Sequence, residues 1–307
     1  MCRINPRVDF AFKKLFGSEE NKDLLISLIN SMVRERDQVV DLELKNPYSL
    51  AAYREGKLSI LDIRARDVRG RWFNVEMQIS EDRNFDKRAI YYWSKLVTEQ
   101  LAEGMMYKEL KKTISINILN FDFTPGKDEY HTIYRIMNTR TGVDDNLHDM
   151  FELHYLELLK FKKDYAQIGT ALDRWAAFLS RAYNLDRDNL PLSLREDAYI
   201  LKAIAAVDRM FDEEERQIYE VRMQAYADVE SRIDSAFDHG KEVGRDEGIK
   251  KGREEGKKEG RDETRRELAR NLLNILDDET IASKTGLSVD DVVALRITHS
   301  PGGEELG

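Results

Sequence analysis

The chain has 307 residues, of which 41% are hydrophobic and 35% are charged, and its formal net charge is −9. This length is enough for one large domain or two modest ones, each with a real hydrophobic core. The negative charge argues against a protein that coats nucleic acid without regard to sequence, although local basic patches can still bind a phosphate backbone. The single cysteine, Cys2, excludes a disulfide framework.

The N-terminal segment and the hydropathy of the chain indicate a cytoplasmic location. The first residues, MCRINPRVDFAFKK, lack the apolar core and the cleavage site of a signal peptide. No apolar run approaches the ~20 residues that cross a bilayer. A reducing compartment also fits a chain with one cysteine. We therefore expect a cytoplasmic protein that does not bind a membrane.

Residues 1–163 show the alternation of an α/β domain. Apolar residues at helical spacing predict a helix over 21–36, and two strand patterns follow it, LSILDIRAR (58–66) and RWFNVEMQI (71–79). A long helical stretch is predicted next, over 85–107. Three further strand patterns complete the region: ISINILNF, HTIYRIM and MFELHYLEL. This order predicts a mixed sheet with helices on its faces.

The rest of the chain predicts only helices. Residues 164–238 carry helical periodicity throughout. In residues 239–262 a glycine recurs at every fourth position between charged triplets. This repeat fits either a helix with a close-packing seam or a charged linker, because each helical Gly costs about 1 kcal/mol and charge pairs return less. Residues 263–299 are predicted to form a small separate unit.

This C-terminal unit resembles a helix-turn-helix in its spacing. Ala282, Gly286 and Val292 stand where such a motif has its alanine, glycine and valine. The second helix of the pair, however, carries Asp290 and Asp291 where phosphate contacts would be made, and acids repel DNA. A structural or oligomerising helical pair and a DNA reader both stay open, and the acids favour the former.

The first two predicted strands form a β-hairpin whose register can be derived. Side chains alternate between the two faces of a strand, so a register shift of one residue would mix the apolar and polar faces. If the apolar faces coincide and Gly70 is left-handed in a three-residue turn, Ile63 lies opposite Val75. The same register places Asp62 directly opposite Glu76.

Two carboxylates in that position repel each other unless a positive charge lies between them. Asp62 and Glu76, together with backbone and water oxygens, would suit Mg²⁺ or Mn²⁺. Gln78 follows on the same face of the strand, where it could hold an attacking water. The alternative is an ordinary solvated polar face on which Arg64 and Arg69 screen the acids.

Several segments resemble the recombination-promoting nuclease (Rpn) and transposase family of the PD-(D/E)XK nuclease superfamily: VDFAFKKLFG, LDIRARDVRGRWFNVEMQ, FDKRAIYYWSKLVTEQLAEGMMYKEL and the strand ISINIL. The glycine-repeat tail also looks like the tails of family members. The resemblance implies a restriction-endonuclease-like mixed central sheet flanked by helices, followed by an all-helical C-terminal region. It also implies metal-dependent hydrolysis of DNA phosphodiester bonds, in recombination, mobile elements or defence.

The resemblance also implies roles for single residues. Asp62 and Glu76 match the two metal-binding acids of the motif, and Gln78 matches a position that often holds Lys. Asp9 matches a recurrent acid of the N-terminal segment and would approach the metal. A Gln can orient water but cannot stabilise charge as a Lys does, so the metal would carry more of the catalysis.

The helix after the hairpin would supply contacts to DNA. Arg88 and Lys87 would bind phosphates there, and Tyr92 would either contact DNA or pack in the core. Two other functions stay open besides the endonuclease. One is a catalytically weak or inactive DNA-binding protein, and the other is an assembly protein that acts through its helical tail, where a homo-oligomer could also form.

Overall fold

The computed structural model of the protein describes residues 4–50, 62–125, 128–143, 148–185 and 187–299. The chain divides into two compact units, one ending at Asp228 and the other beginning at Val229. The first unit contains a sheet flanked by helices, and the second is helical. The predicted fold class is therefore confirmed.

A six-stranded mixed sheet forms the centre of the first unit, as far as that unit is described. Its strands are β1 (Leu42–Leu44), β2 (Asp62–Asp67), β3 (Trp72–Gln78), β4 (Thr113–Leu119), β5 (His131–Arg135) and β6 (Phe151–Glu157). They lie in the order β1-β2-β3-β4-β6-β5. The strands β3, β4 and β6 are parallel neighbours, and the other pairs are antiparallel. The carboxyl ends of three parallel strands therefore meet at one edge of the sheet, where open α/β sheets bind ligands.

Helices lie on both faces of this sheet. The described helices that begin in the first unit are α1 (Asp9–Phe16), α2 (Lys22–Asn30), α3 (Phe85–Thr98), α4 (Ala171–Arg181), α5 (Leu192–Arg195), α6 (Ala198–Arg209) and α7 (Glu213–Leu272), which continues into the second unit. On one face α1 packs against β2 and β3, and the main core lies there. On the other face α3 packs against β4 over a smaller core that includes Phe85, Ala89 and Leu119. None of the described helices is both long and apolar enough to cross a membrane.

The β2–β3 hairpin has the register that was derived from the sequence. Ile63 pairs with Val75, and Asp62 pairs with Glu76. Ile63 and Val75 are both buried in the main core, as the coincidence of the apolar faces requires. Gly70 has a φ of 83°, which is the left-handed conformation that the three-residue turn needs and that side chains disfavour.

The helix predicted over 85–107 is shorter than expected, since α3 ends at Thr98. Two features turn the chain back after that point. The side chain of Gln100 accepts a hydrogen bond from the backbone N–H of Lys111, at 2.8 Å. Gly104 adopts a φ of 86°, which a helix cannot contain. The prediction was wrong here because helical spacing alone does not register side-chain bonds to a distant backbone.

The helix predicted over 21–36 also ends early, at Asn30. The Asn30 amide donates to the carbonyl of Val39 at 2.8 Å and accepts from its N–H at 2.7 Å, so it closes the loop that follows. Of the strand pattern predicted over 58–66, residues 58–61 lie outside the described residues. The structure describes β2 from Asp62 onward.

The second unit contains most of α7, from Val229 onward, followed by α8 (Asp278–Thr285) and α9 (Val289–His299). Its core consists of Ala269, Leu273, Ile281, Ala282 and Val292. Gly286 lies between the two short helices with a φ of 72°. The positions that suggested a helix-turn-helix therefore form a tight helical pair packed on the end of α7.

The glycine repeat belongs to a helix rather than to an irregular linker. All of it lies inside α7, which is helical from Glu213 to Leu272. A Cβ atom added at Gly240, Gly248 or Gly256 would meet nothing within 4 Å. The glycines therefore make no close contact within the described chain that would require their lack of a side chain.

We expect Gly70→Ala to lower the free energy of unfolding by about 1–2 kcal/mol, because the hairpin turn needs a left-handed residue. The added Cβ would also come within 3.2 Å of Cγ of Lys111. Gly70→Asn should cost less, since Asn tolerates this conformation. Urea denaturation measures both effects.

Gly240→Ala is the matched control. Its site is helical and open, so the same change should stabilise that helix by roughly 0.5–1 kcal/mol. If the Ala substitutions at Gly70 and Gly240 changed the free energy of unfolding equally, the role assigned to Gly70 in the hairpin turn would be wrong.

Candidate active site

Glu76 lies on the face of β3 that α3 covers, together with Asn74 and Gln78. Its side chain is only 1% exposed. The alternative of a solvated polar face is therefore wrong for this residue. Of the two arginines expected to screen the acids, Arg64 donates to Glu99 at 3.2 Å, and Arg69 donates to a backbone carbonyl at 3.0 Å.

Asp62 is the register partner of Glu76 on β2. Its backbone is described, but its side chain lies outside the described part of the structure. In antiparallel pairs, residues directly opposite each other have Cβ atoms about 4.5–5.5 Å apart and project to the same face. The backbone register therefore brings the two predicted metal-binding acids to neighbouring positions.

Arg88 supplies a positive charge beside Glu76. Its Nη2 atom donates to Oε1 of Glu76 and to Oε1 of Gln78, at 2.6 Å in each case. Its Nη1 atom donates to Asp82 at 3.1 Å. The guanidinium also lies 4.9 Å from the centroid of the Phe85 ring. Charge-assisted bonds of this length are among the stronger hydrogen bonds in proteins.

Gln78 is held at both ends of its amide. Its oxygen accepts from Arg88, and its nitrogen donates to the carbonyl oxygen of Ser80 at 3.1 Å. An amide has one acceptor oxygen and two N–H groups. In this arrangement the oxygen that would accept a hydrogen bond from an attacking water is directed to a guanidinium. Gln78, which was predicted to orient water, is thus bonded directly to Arg88, which was predicted to bind a DNA phosphate.

A group of buried polar side chains adjoins Glu76 on the same face. Ser115 and Asn117 of β4 are the register partners of Asn74 and Glu76. Among the described residues, the Asn74 amide, the Ser115 hydroxyl and the Asn117 Oδ1 atom have no hydrogen-bond partner, although all three side chains are buried. Each such group costs roughly 1–3 kcal/mol unless something satisfies it. Clusters of this kind mark places that bind an ion or ordered water.

These residues fit a hard divalent cation. Glu76 offers a carboxylate, Asp62 is placed opposite it, and the amide oxygens of Asn74 and Asn117 are buried nearby. Mg²⁺ and Mn²⁺ prefer oxygen ligands of these kinds. No group of three or more His, Cys, Asp or Glu side chains stands ready for a metal in the part of the chain that the structure describes. A site here would thus rely on two acids with amide, backbone and water oxygens.

Asp9 is buried on α1 and is held by other partners. Arg222 of α7 donates to one of its oxygens, and the backbone N–H of Phe10 donates to the other at 2.7 Å. Burial and the neighbouring Asp9 carboxylate together raise the pKa of Tyr226 well above its usual range. No described contact joins Asp9 to Glu76, and its role as a metal ligand stays a prediction.

The exposed face of α3 carries a charge and an aromatic ring. Lys87 is exposed and donates only a long bond, of 3.4 Å, to Asn84 among its described contacts. Tyr92, predicted to contact DNA or pack in the core, is half-buried, whereas its neighbour Tyr91 is 62% exposed. Lys87 and Tyr91 are four residues apart and so lie on one side of the helix. Adjacent tyrosines gave the sequence no means of telling which one faces outward.

Arg7 is a functional candidate that the sequence did not reveal. Its Nη1 atom donates to Oδ1 of Asn120 at 2.5 Å. The backbone N–H of Asn120 in turn donates to the carbonyl of Gln78 at 2.9 Å. Arg7 therefore lies at the carboxyl edge of the sheet, close to the end of β3. Arg7 and Asn120 are 113 residues apart in the chain, so no local sequence pattern reveals their contact.

An open groove of about 1080 Å³ follows the same edge of the sheet. Its walls are the loop after β4, which includes Phe123 and Thr124, and the lysines after β6, namely Lys160, Lys162 and Lys163. Lys160 and Lys163 are neutralised by acids, at 2.8 Å and 2.6 Å. Lys162 is exposed. Asp122 and Asp128 also line the groove, so its surface carries charges of both signs.

A second buried charge cluster lies at the opposite ends of β4 and β6. Glu152 is fully buried and pairs with Arg34, Lys112 and Arg135, at 3.2, 3.1 and 2.9 Å. Although burial opposes its ionisation, hydrogen bonds from His154 and Arg135 hold the pKa of Glu152 well below its usual range. The acid is surrounded by cations, and we interpret this cluster as structural.

A mixed sheet with two opposed acids near the carboxyl edge of its central strands is the arrangement of a PD-(D/E)XK nuclease. The sequence profile of the PD-(D/E)XK nuclease family transposases matches residues 6–236, more than half of the chain. The protein therefore belongs to this family, and the resemblance seen in the sequence is confirmed. No curated protein and no solved structure is detectably similar to the chain. Family membership supports a nuclease-like or transposase-like function.

Proposed function

We propose that the protein is an endonuclease that hydrolyses phosphodiester bonds of DNA with the help of Mg²⁺ or Mn²⁺. One observation carries the proposal: in a chain of this family, Asp62 pairs with a buried Glu76 across the hairpin. A buried acid opposite a second acid needs positive charge beside it; Arg88 provides one such charge, and two opposed acids also suit a divalent cation. Roles in recombination, transposition and defence are all compatible with this chemistry.

Asp62 and Glu76 would hold the metal, and Asp9 would join them only by giving up part of its contact with Arg222. When bound, the divalent cation lowers the pKa of its water and stabilises charge on the scissile phosphate. Gln78 orients the attacking water through its amide. A Gln adds no charge to the transition state, so charge stabilisation falls to the metal and to nearby guanidinium groups.

The positive charges for DNA lie at the carboxyl edge. Arg88 and Arg7 are placed there by α3 and by the N-terminal segment, and Lys87 is exposed on the same helix as Arg88. Tyr91, rather than Tyr92, offers a ring on which a base can stack. These local charges bind phosphates although the whole chain has a net charge of −9.

The alternative of a catalytically weak or inactive DNA-binding protein is favoured by one contact. Arg88 engages Glu76 and Gln78 together, so both catalytic positions are occupied by a side chain. The same contact also serves an active enzyme if the arginine can leave. Cleavage of supercoiled DNA with and without Mg²⁺ distinguishes the two functions.

The C-terminal unit supports self-association better than DNA reading. The described face of α9 presents Val289, Val293 and Ile297, all exposed and spaced four residues apart. A helix that reads bases presents polar side chains at such positions. We propose a second copy of the chain as the partner of this face, and hence a homo-oligomer formed through the C-terminal helices.

Asp62→Asn should abolish metal-dependent cleavage, by about 100-fold or more, because one metal ligand loses its charge. The melting temperature without added metal should stay the same or rise, since the repulsion with Glu76 is removed. Asp86→Asn is the control, because Asp86 is an exposed acid of α3 that lies outside the proposed site. Undiminished cleavage by Asp62→Asn would refute the site assignment.

Gln78→Lys should retain or increase cleavage, because it introduces the charged residue that often occupies this position in the superfamily. Gln78→Leu should lose most of it, because a hydrocarbon side chain cannot orient water. The initial rate of plasmid nicking measures both. If Gln78→Leu were as active as the parent protein, Gln78 would have no part in the reaction.

Ending the chain after Phe237 should change the oligomeric state while metal-dependent cleavage survives. The shortened chain keeps the whole segment that matches the family, residues 6–236, and loses the exposed stripe of α9. Light scattering on both chains measures the assembly, and circular dichroism checks that the shortened chain is folded. An unchanged oligomeric state would show that the tail does not mediate assembly.

A further inference from the structure

Arg88 occupies part of the site proposed for the metal, because it bonds to one oxygen of the Glu76 carboxylate. The arginine bonds to Oε1 of Glu76 and to Oε1 of Gln78 through a single nitrogen, at 2.6 Å from each. These are the side chains proposed to hold the metal and to orient water. We propose that binding of the divalent cation displaces Arg88 from Glu76 and Gln78, and that the released guanidinium then binds a DNA phosphate. This inference rests on the proposed function.

Charge repulsion, together with the bond that Arg88 makes to Gln78, favours the displacement of Arg88 by a divalent cation. A divalent cation at Glu76 would lie only a few ångströms from the guanidinium, and two positive charges in a poorly solvated site repel strongly. The contacts of Gln78 also favour displacement. Its amide oxygen accepts a hydrogen bond from Arg88, and its amide nitrogen donates one to Ser80. Arg88 takes one of the two lone pairs of the amide oxygen, so withdrawal of Arg88 frees that lone pair for a water.

The surroundings of Arg88 allow its side chain to move while its helix stays fixed. The side chain is 24% exposed, so it has a route to solvent. Phe85 and Ala89, on either side of it along α3, are fully buried and anchor the helix. Asp82 accepts from the other terminal nitrogen at 3.1 Å, which provides a second partner near the surface during the transfer.

A phosphate is the destination that suits a guanidinium best. The planar fork of an arginine matches two oxygens of a phosphate. The carboxyl edge already carries Arg7 near the end of β3, so a DNA strand bound there would bring its backbone within reach of both arginines. Metal binding and DNA binding would therefore be coupled through one side chain.

The first test measures metal affinity without DNA, by calorimetric titration of the full-length protein with Mn²⁺. Arg88→Ala should tighten the dissociation constant about tenfold, because the repulsion between the guanidinium and the metal is removed. Arg88→Gln, which keeps an N–H donor for Glu76 but no charge, should shift it in the same direction. Arg83→Ala removes an exposed charge nearby and should leave the constant unchanged.

Equal or weaker Mn²⁺ binding by both Arg88 variants would overturn the exchange, because it would show that the arginine supports the metal rather than competes with it. The Gln variant guards against a loss of folding in the Ala variant, and circular dichroism verifies both. Glu76→Gln serves as the reference for a lost ligand. If the parent protein bound Mn²⁺ no better than Glu76→Gln, the proposed function itself would fail, and the exchange with it.

The second test follows Arg88 to the phosphate. The salt dependence of binding to a hydrolysis-resistant phosphorothioate duplex is measured for the parent protein and for Arg88→Ala, with and without Mn²⁺. With Mn²⁺, the variant should lose about 0.9 from the slope of log K against log salt, which corresponds to one phosphate contact. Without Mn²⁺, the two slopes should agree. A loss of the same size in both conditions would show that Arg88 contacts DNA independently of the metal.

Discussion

The buried carboxylate of Glu76 is the constraint on which the rest of the site depends. Only 1% of the residue is exposed, and an ionised group without water costs several kcal/mol unless an opposite charge accompanies it. The strand β3 provides the acid, and the packing of α3 on β4 brings Arg88 within 2.6 Å of it. The position of that helix and the charge balance of the site are thus linked. A metal and an arginine are two solutions to the same electrostatic problem.

The sequence predicted the hairpin well because its rules are local. Side chains alternate with a period of two and Gly70 stands in the turn, so parity and the length of the turn together paired Asp62 with Glu76. The environment of the pair could not be predicted in the same way. The burial of Glu76 depends on where α3 crosses the sheet, and the pairing of Asp9 with Arg222 joins residues 213 positions apart. Such contacts are set by tertiary packing, which periodicity does not encode.

The bond between Gln78 and Arg88 changes how the departure from the superfamily pattern is understood. A Lys at this position would bring a charge on the strand itself. Here the strand carries a neutral amide, and a guanidinium from α3 lies 2.6 Å from its oxygen. We interpret the pair as dividing between two residues what one Lys does elsewhere, with Gln78 orienting water and Arg88 supplying charge. When the two tasks are divided in this way, the positive charge can move away from the strand, because it is carried by the long and partly exposed side chain of Arg88.

Asp291, one of the two acids at the start of α9, argues less strongly against DNA reading than the sequence suggested. Asp291 accepts from the N–H of Ser288 at 3.3 Å, and its own N–H donates to the Ser288 hydroxyl at 3.1 Å. Hydrogen bonds from Ser288 also hold the pKa of Asp291 below its ordinary value. This reciprocal bonding caps the start of the helix, so the acid has a structural reason to be there. The exposed side chains of Val289, Val293 and Ile297 still favour contact with another protein. Burial of these apolar side chains in an interface would be favourable, and they cannot form hydrogen bonds with DNA bases.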